Sequence, residues 1–156
     1  MARVLIVGCG CRGRALAAAL PDHAVRGTTR SLDGLPELER AGIEGVVADP
    51  DRLATLVPAL AGVTVVCWLM GSAAGSPGMH GPRLETLMEH LVDTPVRGFV
   101  YEAAGSVEPG LLAEGAAIVA AAQERWRIPT AIVRTAPEAH EEWLADTAEA
   151  VERLLR

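Results

Sequence analysis

With 156 residues, 50% of them hydrophobic, the chain has the size of one domain with a proper core and is too short for two. Its 14 basic residues are all arginine and stand against 20 acids, a net charge of −6, so nucleic acid and other polyanions are not expected partners. Lysine is absent from the sequence, which removes Schiff-base chemistry, the P-loop lysine and the Tyr/Lys proton relay.

In chain order, a β-branched run over residues 3–7 predicts a first strand, and residues 12–20 predict a helix stopped by Pro21. A second strand is expected over 24–26 with a polar end at Thr28, then a helix over 35–41 that Gly42 ends. The third strand, 45–47, leads into a helix over 51–60 ended by Gly62, and the fourth, 63–69, into the segment 71–81. That segment is too rich in glycine and proline for either element and reads as a mobile loop of the kind that forms lids. A helix over 82–91, a strand over 98–101, a helix over 111–126 and a strand over 130–133 continue the alternation. The last helix, 138–155, carries Trp143, Leu144, Ala148, Val151 and Leu155 on one face, and Thr135 to Glu138 reads as its capping box. Several strands lack inside/outside alternation, which calls for a parallel sheet with helices on both faces.

No run approaches the roughly 18 apolar residues of a membrane span. The start of the chain is a poor signal peptide, because its short apolar stretch meets glycines and arginines at once. Cys9, Cys11 and Cys67 spell out no disulfide framework, so a reducing, cytoplasmic location is expected. Cys9 and Cys11 read as fillers of small positions rather than as a metal pair, and no metal site is expected.

The strongest motif is Gly8-x-Gly10-x-x-Gly13, directly after a strand and at the mouth of a helix. Gly8 permits the tight turn, Gly10 lets a pyrophosphate approach the backbone, and Gly13 lets the helix pack against the strand. The free N–H groups of the helix N-terminus then face the phosphates, and Cys11 and Arg12 fall within the same loop. The second strand decides between cofactors: an NAD site places an acid about 20 residues past the first glycine, and an NADP site places arginine there. Here stand Thr28, Thr29 and Arg30, with no acid before Asp33, and Arg12 is expected near the same pocket. NADP(H) is therefore favoured over NAD(H), unless Arg30 is only a solvated surface arginine.

On the segments VLIVGCGCRGRALAAAL, VRGTTRS, GIEGVVADPDRLATLVPAL, VTVVCWLMGSA, RGFVYEAAGSV and IPTAIVRT, the chain resembles the nucleotide-binding half of NAD(P)-dependent epimerases/dehydratases, the extended and atypical short-chain dehydrogenase/reductases. The resemblance covers nearly the whole chain. It implies a single Rossmann domain over 1–156, a doubly wound sheet of six parallel strands in the order 3-2-1-4-5-6. It also implies that Asp49 resembles the acid that contacts the adenine amino group, and that Leu69, Met70 and Gly71 line the ribose side. A second reading of Asp49, as a helix N-terminal residue beside Pro50 and Asp51, stays open.

The family carries a Ser or Thr and a Tyr-x-x-x-Lys relay after the fifth strand. This sequence aligns Ala103, Ala104, Glu108 and Leu112 with those positions, so the relay is missing. His80, Ser106 and Tyr101 remain as weak catalytic candidates. His80 reads more simply as a solvated loop histidine and Tyr101 as a core tyrosine. Near the carboxyl edge of the sheet also stand Ser72, Ser76, Glu102, Glu108 and His140.

The expected function is an NADP(H)-dependent oxidoreductase of reduced size; the alternative is a non-catalytic dinucleotide-binding or redox-sensing module that acts through a partner. Relatives pair the helices after strands four and five with those of a second subunit. Leu112, Val119 and Trp126 beside Leu84, Leu87, Met88 and Leu91 exceed one buried stripe, so a homodimer is expected, unless the surplus packs against the C-terminal helix around Trp143.

Overall fold

A computed structural model describes residues 2–156. β1 (Arg3–Val7), β2 (Ala24–Thr29), β3 (Glu44–Val47), β4 (Val65–Trp68), β5 (Gly98–Glu102) and β6 (Thr130–Val133) form one sheet in the order β3-β2-β1-β4-β5-β6. Every pairing is parallel, as the non-alternating apolar strands require. The expected six-stranded, doubly wound α/β sheet is thus the observed one.

Odd and even positions of the central strands serve two separate cores. Leu5, Val7, Val66, Trp68, Phe99 and Tyr101 face α3 (Leu53–Leu56), α4 (Pro82–Leu91) and α5 (Pro109–Trp126). Val4, Ile6, Val65, Cys67 and Val100 face α1 (Cys11–Ala18), α2 (Leu35–Arg40) and α6 (His140–Leu155). Glu102, the last residue of β5, continues the second set and is fully buried on the α1/α6 side.

Several boundaries differ from the sequence reading, each for a local reason. The helix expected over 51–60 is one α turn, Leu53–Leu56, tightened into a 3₁₀ turn at Val57–Leu60. Pro58 has no N–H for the α pattern, which accounts for the change. β2 runs on to Thr29 and β5 to Glu102, because their polar ends find partners inside the protein. α6 begins at His140 after Ala139 with no side-chain cap, so the Thr135–Glu138 capping box does not form. Thr135 Oγ1 donates instead to the carboxylate of Asp146. The helix that does receive a carboxylate cap is α5, where Glu108 accepts from the N–H groups of Gly110 at 2.8 Å and Leu111 at 3.1 Å.

The segment 71–81 is irregular as expected, but it is tied down at its far end. Asp51 accepts hydrogen bonds from the Ser76 N–H and hydroxyl, Pro77–His80 forms a 3₁₀ turn, and Met79 and His80 are buried. Most of the apolar residues read as surplus on α4 and α5 are packed within the chain, and Trp126 is left half-buried. Leu84, Leu87, Met88, Leu91, Leu112 and Val119 are all buried, and Trp143 belongs to the core on the opposite face.

Candidate functional site

At the carboxyl ends of β1, β2 and β4 lies an open cleft of about 420 Å³. Its floor is the turn from Gly8 to Arg12, one wall is Thr28 to Arg30 with Pro50, and the other is Leu69, Met70 and the start of the segment 71–81. Gly8 has φ +84°, and a Cβ there would come within 2.6 Å of the Leu69 carbonyl, so only glycine makes this turn against β4. The Gly8 N–H donates to Thr28 Oγ1 at 3.2 Å, which ties the turn to β2.

A Cβ on Gly10 would meet nothing within 4 Å: the backbone there stands open to the cleft. On the other side of the turn, Cys9 Sγ fills the gap between α1 and β2. It would lie 3.0 Å from a Cβ at Gly13 and 2.7 Å from one at Gly27. Burial pushes the Cys9 thiol up to about 11 against the pull of Arg14, so it is an inert filler, whereas Cys11 is exposed and lines the cleft. No side chain caps the N-terminus of α1, so its first N–H groups are left for a ligand or for water. A pyrophosphate fits this arrangement, since the backbone space is open and the donors are uncommitted.

The two arginines expected together are separated. Arg30 is exposed on the β2 wall, its Nη2 lies 3.6 Å from Met79 Sδ, and it makes no ion pair among the described residues. Arg12, expected beside the same pocket, instead pairs with Glu102 through both terminal nitrogens, Nη2 at 3.2 Å from Oε1. The buried carboxylate of Glu102 attracts it there, and the indole of Trp143 lies beneath its guanidinium at 5.0 Å. Gly71 does not line the cleft; its N–H donates to Glu102 Oε1 at 2.8 Å. Asp49 does not line it either, because its Oδ1 accepts from the Asp51 N–H at 2.9 Å, and the neighbouring Pro50 takes the cleft position.

His80 and Tyr101 lie outside the cleft. The His80 ring, 1% exposed rather than solvated, shares a 2.6 Å hydrogen bond with the Tyr101 hydroxyl between the sheet and α5. Among the described residues Nε2 of His80 makes no hydrogen bond. Burial holds the His80 imidazole below its ordinary value and the Tyr101 phenol well above its own, so both stay neutral near pH 7. Ser106 is exposed at the rim, where its N–H donates to Ser72 Oγ at 3.0 Å.

Two clusters escaped the sequence. One is Glu102 with Arg12, Gly71 and Trp143; the other is Asp51 with Ser76 and Arg83, whose Nε donates to the Asp51 carbonyl at 2.6 Å. The Ser76 hydrogen bond, ahead of the nearby arginines, holds the Asp51 carboxyl below the usual range. A charged residue closing the apolar run Gly98–Glu102 was the one visible signal for the first. Among the described residues no group of three or more His, Cys, Asp or Glu is placed to hold a metal ion.

The parallel sheet in this order, with a glycine turn at the mouth of α1, defines a Rossmann-like α/β fold of the kind found in NAD(P)-dependent epimerases and reductases. Its structural neighbours include three such enzymes. UDP-glucuronic acid 4-epimerase from Bacillus cereus, solved with NAD, superposes with a TM-score of 0.64 at 16% identity over 87% of this chain and 59% of its own. Triphenylmethane reductase from Citrobacter sp., solved with NADP(H), gives 0.67 at 18% identity over 85% of this chain and 49% of its own. Vestitone reductase from alfalfa gives 0.64 at 16% identity over 85% of this chain and 56% of its own. The chain therefore spans about half the length of these three enzymes. No family model matches the sequence, and no curated protein matches it. No helix among the described residues is long and apolar enough to cross a membrane.

Proposed function

We propose that the chain binds NADP(H) in this cleft and serves as an oxidoreductase of the short-chain dehydrogenase/reductase-like type that works without a Tyr-x-x-x-Lys relay. The observation that carries the cofactor reading is the pairing of an open glycine turn with Arg30 on the β2 wall, a cation that makes no ion pair among the described residues. The first N–H groups of α1 hold the pyrophosphate in the open space beside Gly10, Thr29 and Arg30 take the 2′-phosphate, and Leu69 and Met70 wall the ribose side. The cofactor, when bound, supplies the hydride chemistry. Preference for NADP(H) over NAD(H) follows from Arg30 alone, since Arg12 is engaged elsewhere.

Calorimetric titration with NADPH and NADH tests this reading. Arg30→Ala is expected to cost NADPH about 1.5–3 kcal/mol, the worth of a charge-assisted hydrogen bond, and to leave NADH nearly unchanged. Equal affinities of the native chain for the two cofactors would overturn the preference.

The sealing of His80 and Tyr101 in the core favours a second reading, a dinucleotide-binding module that acts through a partner without turning over substrate. Tight NADPH binding without oxidation by any of a panel of aldehydes, ketones and quinones would select it. The three unpaired cysteines accord with a reducing compartment such as the cytoplasm. Assembly as a two-fold homodimer through α4 and α5 now rests on a narrower ground. A groove of about 370 Å³ remains there between Ala117, Ile118, Ala121 and Trp126 on α5 and Glu85 and Glu89 on α4.

A further inference from the structure

Glu102 is a fully buried carboxylate whose two oxygens receive four donors from three separate parts of the chain. Oε1 accepts from the Gly71 N–H at 2.8 Å and Arg12 Nη2 at 3.2 Å; Oε2 accepts from Trp143 Nε1 at 2.9 Å and from Arg12 Nη1. The glycine turn, the segment after β4 and the first turns of α6 thus converge on one side chain. Arg12 itself lines the cleft with a side chain 24% exposed, so a phosphate there would have a cation within reach. Removing that cation from Glu102 would leave a buried charge with only two neutral donors. Such a loss exceeds what one solvent-facing phosphate contact returns.

We propose that Glu102 is a positioning residue for the dinucleotide cleft. It holds Arg12 away from the phosphates and fixes the glycine turn against β5, so that the free N–H groups at the start of α1 receive the pyrophosphate. The proposal rests on the dinucleotide reading given above. A turn built on three glycines has unusual backbone freedom, and it is restrained from two sides: by Thr28, through Oγ1 and its carbonyl, on the β2 side and by Glu102, through Arg12, on the β5 side. The binding step then meets a preformed cradle.

Titrating the full chain and its Glu102→Gln, Arg12→Gln and doubly substituted variants with NADPH and NADH tests the proposal. Glutamine keeps the shape of Glu102 but turns one oxygen into a donor that faces other N–H groups, so one tether breaks. Each single variant is expected to weaken both cofactors by the same factor, on the order of tenfold, with the NADPH/NADH ratio unchanged. The double variant should bind no more weakly than the weaker single one. If Arg12 were instead a phosphate ligand held in reserve, Glu102→Gln would free it and tighten binding; that result, or an unchanged affinity, overturns the proposal.

A second measurement needs no cofactor. Amide hydrogen exchange over residues 9–13 is expected to quicken selectively in Glu102→Gln, whereas a purely structural role would quicken exchange across the whole sheet. Should Glu102→Gln fail to fold, Trp143→Phe removes one donor and leaves the carboxylate, and the same selective loosening is expected in smaller measure; its absence would overturn the proposal. A native chain that binds neither cofactor would overturn the dinucleotide reading itself, a result distinct from either outcome above.

Discussion

Arg12 and Arg30 lie on opposite sides of the centre of the sheet, and what separates their roles is the company each keeps. Spacing alone put both near a phosphate; only the folded chain shows that Glu102 claims the first. The same distinction applies to Tyr101 and His80, which read in the sequence as a core residue and a loop residue and prove to be bonded to each other. Tyr101→Phe is expected to leave any measured turnover within a few-fold, because the hydroxyl lies outside the cleft. The substitution strips His80 of its hydrogen-bond partner, so it should lower stability by about 1–3 kcal/mol in denaturant titration. A turnover loss of several orders of magnitude in a folded variant would place the phenol in the chemistry.

His80 also makes stability depend on pH. Burial holds its imidazole below the ordinary value of 6.5, so as pH falls the unfolded chain takes up the proton first. Its contribution is complete above about pH 6.5 and is lost as pH falls from there through the lower folded value. Tyr101 faces the ring directly, and Glu102 lies near enough to oppose part of the shift. Thermal unfolding followed between neutral and mildly acid pH should show this slope in the native chain and a flatter one in His80→Gln. Equal slopes would mean that the ring stays accessible to protons.

At the scale of elements, β2 shows how a polar residue can belong to a core. Arg26 lies within the strand, yet each of its nitrogens is engaged: Nε and Nη2 donate to Glu44 Oε2 and Oε1 at 2.9 and 3.5 Å, and Nη1 donates to the carbonyls of Ala59 and Ala61 at 2.6 and 2.8 Å. It thereby fastens β3 and the turn after α3 to the sheet, and the Arg26 hydrogen bond, foremost, holds the Glu44 carboxyl below the usual range. Arg26→Met keeps the stem but leaves two carbonyls without donors. It is expected to cost about 2–4 kcal/mol, read as a lower denaturant midpoint, and a change under 0.5 kcal/mol would show that water replaces the guanidinium at no loss.

The elements themselves were legible because their signals are local. Apolar runs of strand length gave all six strands, and Pro21, Gly42 and Gly62 marked helix ends within a few residues. The errors came where two local rules competed. Thr135 and Glu138 met the capping pattern, yet Thr135 found Asp146, while Glu108 before Pro109 made the cap that was overlooked. Likewise the apolar count on α4 and α5 was correct, but a count cannot name the neighbour that covers each side chain. The glycine cradle was legible because its residues are contiguous. The Glu102 cluster was not, because its four contributors meet only when β5, α1, α6 and the segment after β4 are assembled.

For the whole molecule, the open question of assembly turns on the groove between α4 and α5. Light scattering at micromolar concentration should give a species of twice 16.3 kDa if this groove closes around a second copy. Ala121→Arg, at an exposed position on its lip, should return the monomer without loss of folding. A native species of single mass would end the dimer proposal.

The sheet order carries a consequence for how the chain is made. Of the six strands β1 is made first but lies at the centre, where Val4 pairs with Val25 on one side and with Val65 on the other. The second pairing closes a far longer loop than the first, and such non-local contacts slow folding. Until β4 has been synthesised, β1 offers a bare edge and two apolar faces, a template for pairing with other nascent chains. The glycine turn waits with it, since Gly8 packs on the carbonyl of Leu69. A fragment ending before β4 would therefore carry the whole dinucleotide fingerprint, aggregate readily and bind nothing.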